Sequence, residues 1–251
     1  MLVRPLNIAR LPIVFLMTIA LACTDREPAP SAGPHIRATI LTIRTTVRPE
    51  NRFYDHQLII AGDKARFLGE SDTWRLFDVK ARTVTFVDDV TGSYQTESMA
   101  DIIRKREAAS SGALPAGVTR ARIDEPGERR TMHNISASLT VIESGAYRRD
   151  LWLAGHPAIP QELFAMMYLS EPATSPLAPM MQTVDEALAK VRAFPLLDRT
   201  EVPIGSGSLI VERRVIVIAP QAVAQSLLTI PTGYRDATPA PAPPDAGTKT
   251  E

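Results

Sequence analysis

The sequence predicts an α+β fold: one strongly curved antiparallel β-sheet, with helices inserted between its middle and last strands. Three observations predict it. From His35 to Glu97, short β-branched segments recur about every ten residues with turn residues between them, the spacing of an antiparallel meander. The period then becomes helical at Met99–Ala109, Pro160–Leu169 and Leu177–Phe194. Strand-like runs return at Pro195–Ile204 and Ser208–Ile218.

Element by element, His35–Val47 (HIRATILTIRTTV) alternates, with Ile36, Ala38, Ile40 and Thr42 on one side, and reads as a long strand with one apolar face. Arg48-Pro49-Glu50-Asn51 is a turn, Phe53–Ile60 the second strand, and Gly62-Asp63 closes a hairpin onto Lys64–Leu68. Trp74–Val79, Thr83–Val90 and Tyr94–Glu97 complete the meander. Met99–Ala109 puts Met99, Ile102, Ile103 and Arg106 on one helical face, and Ser110–Ala116 is a loop. Val118–Ile123 is a candidate short strand. Met132–Ile142 and Ala146–Ala154 form a hairpin, with Tyr147, Arg149, Leu151 and Leu153 on one face and Arg148, Asp150 and Trp152 on the other. Pro160–Leu169 starts with proline at a first helical turn. Leu177–Phe194 carries the apolar stripe Leu177, Met180, Met181, Val184, Ala187, Leu188, Val191. Gly205-Ser206-Gly207 joins the last two strands, Pro220–Leu227 reads as a short helical turn, and Thr229–Arg235 closes a single domain over residues 35–235.

The ends are different in kind. Arg4 and Arg10 precede an apolar run, Leu11–Ala22, that ends in small residues. At ~18 Å as a helix it is too short for a hydrocarbon core of ~30 Å, so residues 1–22 are expected to be an export signal. Cys23, the one cysteine of the chain, follows directly. Ala22-Cys23 resembles the lipobox of bacterial lipoproteins, which implies a thioether-linked diacylglycerol on Cys23. The sequence departs from that motif in having Ala20 at −3 and Leu21 at −2. Ala20-Leu21-Ala22 also fits the A-x-A pattern of the general signal peptidase, which would leave a soluble periplasmic protein. A lone thiol in an oxidising compartment has no partner in its own chain, and acylation accounts for it better. Thr24 at +2 points, by the sorting rule of such lipoproteins, to the outer membrane of a Gram-negative bacterium. Residues 23–34 are then a flexible tether, and 236–251, rich in Pro and Ala, a tail unable to bury enough apolar surface to offset chain entropy.

Basic and acidic residues balance at 28 each. Losing Arg4 and Arg10 with the signal leaves the mature chain weakly acidic. No basic face marks it for nucleic acid.

The order of elements, with the segment Gly62–Phe67 (GDKARF), Asp150-Leu151-Trp152-Leu153-Ala154 and the closing Ile230–Arg235 (IPTGYR), resembles a bacterial envelope lipoprotein family of unassigned function. That family is similar in fold to the Lol-type carriers of lipoproteins. The resemblance implies a half-open barrel whose concave apolar face is covered by helices and accepts acyl chains.

Catalytic and cofactor signatures are missing from the sequence. There is no G-x-S-x-G, no H-E-x-x-H, no phosphate loop and no dinucleotide fingerprint. His35, His56, His133 and His156 lie far apart, with no second ligand type at metal spacing. No enzyme activity, cofactor or metal is expected. The doublets Arg148-Arg149 and Arg213-Arg214 stand on strands, so one arginine of each points to the concave side or its rim, toward anionic headgroups or into ion pairs.

Three functions compete. The first is a binding module that holds a lipid or another apolar ligand between sheet and helices, lined from the strand Ile36–Val47, with Ile40 as its candidate, and by Phe86, Trp152, Met166, Met167, Met180 and Met181, where methionine suits varied apolar shapes and equally fills a core. The second is a non-enzymatic assembly or scaffold protein, tethered to the membrane through Cys23, that binds another envelope protein. The third is a hydrolase, for which the sequence offers no nucleophile, base and acid trio. The resemblance favours the first.

Overall fold

The computed structural model describes residues 33–69, 72–109, 119–171, 178–204 and 207–238, with the side chains of 178–180, 182, 203 and 204 outside that set. The expected signal, Cys23, the tether up to residue 32, the loop 110–116 and the tail from residue 239 lie outside the described residues.

Two runs of neighbouring antiparallel strands share one open, curved sheet. The first runs from β1 (His35–Arg48) through β2 (Arg52–Ala61), β3 (Lys64–Leu68), β4 (Thr73–Asp78) and β5 (Thr83–Asp88) to β6 (Ser93–Ser98). Helix α1 (Met99–Ala109) follows, then the short β7 (Arg122–Asp124) and β8 (Arg129–Met132). The second run is β9 (Ile135–Ser144), β10 (Tyr147–Ala154), β11 (Phe194–Ile204) and β12 (Gly207–Ala224). Helices α2 (Leu163–Leu169) and α3 (Ala178–Leu188) lie between β10 and β11 in the chain. Pairing of β1 with β12 joins the runs. A two-residue β13 (Arg235–Asp236) adds in parallel to the β6 edge, so among the described residues the sheet ends at β13 on one side and at β7 and β8, both on β9, on the other, and does not close. The expected hairpin turn is present, with Gly62 at φ +57°, a backbone region open to glycine at no steric cost. No described helix is long and apolar enough to cross a membrane.

Four expectations are corrected. β1 is apolar on both faces, not one: Leu41 and Ile43 enter the main core, while Ala38, with Ile36 and Ile40 against it, belongs to a second, smaller cluster with Ile59, Val223 and Leu228. β12 runs on to Ala224, where a helical turn was expected around Pro220. There β12 has β1 on one side and β11 has already ended its pairing at Arg214, so the missing proline N–H breaks no two-sided ladder. The second inserted helix stops at Leu188. Tight turns follow, and Phe194 opens β11 and packs against Phe164 with ring centroids 6.2 Å apart. The expected strand Met132–Ile142 is broken: Met132 ends β8, His133 and Asn134 turn the chain with φ of +50° and +59°, and β9 starts at Ile135 and pairs back onto β8.

The main core lies on one face of the sheet. All seven residues of α2 are buried, and all but Ala165 meet Leu41, Ile43, Leu151, Leu196 and Val215 in one cluster. The C-terminal end of α2 is held by two arginines. Arg75 of β4 donates to the Met167 carbonyl at 3.1 Å and to Ser170 Oγ at 2.9 Å. Arg106 of α1 donates to the carbonyls of Leu169 and Glu171 at 3.1 and 2.7 Å, and forks onto Asp185 of α3 at 2.8 and 3.0 Å. Cations there satisfy orphan carbonyls and the negative end of the helix dipole. These bonds fix α2 against the sheet.

Candidate functional site

Register fixes the floor of the site. Asp198 of β11 is paired with Arg213 of β12, Arg213 with Thr45 of β1, and Thr45 with Tyr54 of β2. Residues directly opposite on neighbouring strands share a face, so these four form one row across the sheet. Thr45 is two residues from Ile43 of the core face. The next rung carries Ile43 opposite both His56 and Val215. A bulge sets this phase: Thr42 pairs with Val217 and Ile43 with Val215, leaving Ile216 over.

Over this row stands α2. Between them is a cavity of about 240 Å³. Its apolar wall is Ile43, Phe67, Phe164, Met167, Phe194 and Pro195, and its polar side is Thr45, Tyr54, His56, Arg149, Tyr168, Glu171, Asp198 and Arg213. His56 stands edge-on to Tyr54, with centroids 5.1 Å apart, and lies against Phe67 at 5.2 Å.

A chain of alternating charge runs along the polar side. Arg149 Nε and Nη2 donate to the two carboxylate oxygens of Asp198 at 2.8 and 2.7 Å. Both side chains are almost wholly buried, at 1% and 3% exposure. Burial works against the Arg149 charge, and the facing Asp198 carboxylate overcomes it, raising the pKa well above the ordinary arginine value. Tyr168 lies under the same guanidinium, 4.5 Å from ring centroid to Cζ. Burial raises the pKa of its phenol, so the ring is neutral. Arg213 stands 3.6 Å from Asp198 and 3.5 Å from Glu171. Glu171 is in turn 4.0 Å from Arg75, where burial lowers the arginine pKa and Glu171 opposes that. Arg149 and Asp198 are a sealed pair; Arg213 and Glu171 are partly exposed, at 36% and 39%. Among the described residues no group of three His, Cys, Asp or Glu side chains is placed to hold a metal ion. What the arrangement offers is a small apolar slot with one accessible cation at its polar side.

Of the residues expected to line a ligand space, Met167 lines this cavity. Met166 is buried beside it and borders a separate space of about 80 Å³ with Met99. Ile40 packs on the opposite face of the sheet. Phe86 lines another cleft, of about 450 Å³, with Trp74 and Tyr94. Trp152 is half-buried beneath the Arg130 guanidinium, 4.7 Å away. Met181 packs half-buried on the core, and the Met180 side chain lies outside the described residues. Ile43 and Thr45, within the expected lining strand Ile36–Val47, and Phe164, on the methionine-bearing helix, line it as well, whereas the sequence does not single out Phe67, Phe194, Glu171 or Asp198 for it. A signal for Asp198 was present: an acid on a strand directly after Leu196-Leu197 needs a partner if that face is buried.

No protein-family model and no curated protein matches the sequence. Among solved structures, the chain is similar to PNGF-II, with a TM-score of 0.45 and 10% identity over 81% of this chain and 31% of that one. It is also similar to a LolA superfamily protein from Nitrosomonas europaea, with a TM-score of 0.30 and 9% identity over 80% of this chain and 92% of that one. The chain thus spans less than a third of PNGF-II. At these TM-scores and identities no function carries over from either.

Proposed function

We propose that this protein is an envelope lipoprotein, exported and held at the outer membrane through Cys23, whose folded part is a half-barrel with helices over its concave face that binds one lipid or other apolar ligand. The observation that carries the reading is the cavity of about 240 Å³ between α2 and the sheet. Its size selects the ligand. Sites for drug-sized molecules run from ~300 to ~1,000 Å³, so this one suits a single chain or a compact ring, not several acyl chains at once. Phe67, Phe164 and Phe194 give it rigid walls, and the thioether of Met167 adjusts to what lies between them. Binding is driven by removing apolar surface from water. The protein holds the ligand and does not transform it.

The scaffold alternative has less to rest on. The exposed large apolar side chains among the described residues, Phe53, Val90, Ile123 and Val217, stand on four separate segments.

Native mass spectrometry of the purified protein tests the reading. Wild type carries an added small-molecule mass, from the cell or after incubation with octanoate, and a Met167→Trp variant that fills the cavity does not. A bare wild-type mass under both conditions contradicts it. Radioactive palmitate tests the anchor: wild type is labelled and Cys23→Ser is not, and an unlabelled wild type removes the lipoprotein assignment.

A further inference from the structure

We propose that the cavity selects a ligand whose apolar chain ends in a carboxylate, that Arg213 and Thr45 receive this group, and that Glu171 occupies the place of the ligand's carboxylate until it arrives. The proposal rests on the binding reading above.

The two arginines of the cavity are in different states. Arg149 is committed, with two of its nitrogens at 2.8 and 2.7 Å from Asp198. Among the described residues Arg213 makes two ion pairs, at 3.6 and 3.5 Å, and no hydrogen bond. At those distances its N–H groups attract a carboxylate without bonding it. A planar fork of this kind matches a carboxylate in two-point contact. Thr45 stands directly opposite Arg213 in the β1–β12 register. It is 2% exposed, lines the cavity, and its Oγ1 has no hydrogen-bond partner among the described residues. A buried hydroxyl without a partner costs free energy, and a ligand oxygen arriving at Arg213 supplies one.

Glu171 supplies the exchange. It follows α2, is half exposed, and is shared between Arg213 at 3.5 Å and Arg75 at 4.0 Å. A ligand carboxylate that takes Arg213 displaces Glu171 toward Arg75, so neither acid loses its cation. Without an acid on the ligand, nothing offsets the loss of the Arg213–Glu171 pair, and a neutral chain gains only its apolar contacts.

The test is a calorimetric titration of the purified protein with octanoate and with its neutral counterpart, methyl octanoate. Wild type binds octanoate about ten-fold more tightly than the ester, the range of a charge-assisted hydrogen bond. Arg213→Met removes that preference by weakening octanoate. Glu171→Gln, which removes the competing carboxylate, tightens octanoate several-fold. Equal binding of acid and ester to wild type leaves the binding reading standing and overturns this proposal. So does an Arg213→Met variant that keeps its circular dichroism spectrum yet loses both ligands equally, or a Glu171→Gln variant that weakens octanoate. If wild type binds neither compound, the binding reading itself falls, and this proposal with it.

Discussion

Two arginine–aspartate forks of the same geometry stand on opposite faces of this sheet. Arg44 of β1 meets Asp55 of β2 at 2.8 and 2.8 Å, and Arg149 of β10 meets Asp198 of β11 at 2.8 and 2.7 Å. The first pair is 43% and 39% exposed, the second 1% and 3%. The difference teaches that burial, not bond length, sets what a pair does. Water screens the outer fork and competes for its bonds, so it contributes little. The inner fork has left water behind, and each partner depends on the other for its charge. The inner pair therefore holds β10 to β11 beneath α2, and leaves Arg213, its less buried neighbour, as the cation able to change partners.

Substitutions sharpen this contrast. The largest effect is expected from Arg149→Ala, which leaves the Asp198 charge buried with Arg213, at 3.6 Å, as its one cation among the described residues. A loss of about 3–5 kcal/mol follows, read as a fall in the urea midpoint. The paired replacement Arg149→Met with Asp198→Leu restores most of that loss, because no charge is left unpaired. If the double variant is as unstable as the single one, the pair acts through more than its own charges. Next comes Thr45→Val, which removes the buried hydroxyl that lacks a partner among the described residues and raises stability by about 1 kcal/mol. A lower urea midpoint for Thr45→Val would mean that the hydroxyl is satisfied. Arg213→Met is expected to change stability by less than ~1 kcal/mol, since its pairs are long and partly solvated. The smallest effect belongs to the outer fork. The hydrogen bond from Arg44 holds the Asp55 pKa below the ordinary aspartate value. A depressed folded-state value adds stability above the unfolded pKa of ~4, and that stability is lost as pH falls through the folded value. Asp55→Asn should therefore leave the neutral-pH urea midpoint close to wild type and flatten its fall in acid. An unchanged acid limb would show that the fork does not persist in solution.

The fold was more legible in the sequence than the site, and the reason is range. Strands such as Lys64–Leu68 and the helix Met99–Ala109 announce themselves by period within a few residues. The inward arginine of each doublet was legible too, because alternation forces one of two neighbours onto each face. Their meeting was not. Arg149 and Asp198 are separated by 49 positions, and the row from Asp198 to Tyr54 depends on the registers of three strand pairs, one of them shifted by a bulge. Local pattern fixes face, but not which residue comes opposite which. Ile40 shows the same limit. Its alternation is correct, but a strand buried on both faces does not say which face looks onto the cavity.

The central claim is that an apolar chain lies against Met167 between α2 and the sheet. It is tested most directly by NMR of the methionine methyl groups during titration of the purified protein with octanoate. Met166 and Met167 are neighbours in α2, yet of the two Met167 alone lines the cavity. The account predicts that the Met167 methyl signal shifts saturably while the Met166 signal stays close to its place. A titration that leaves Met167 unmoved, or moves Met166 and Met181 in its stead, contradicts it.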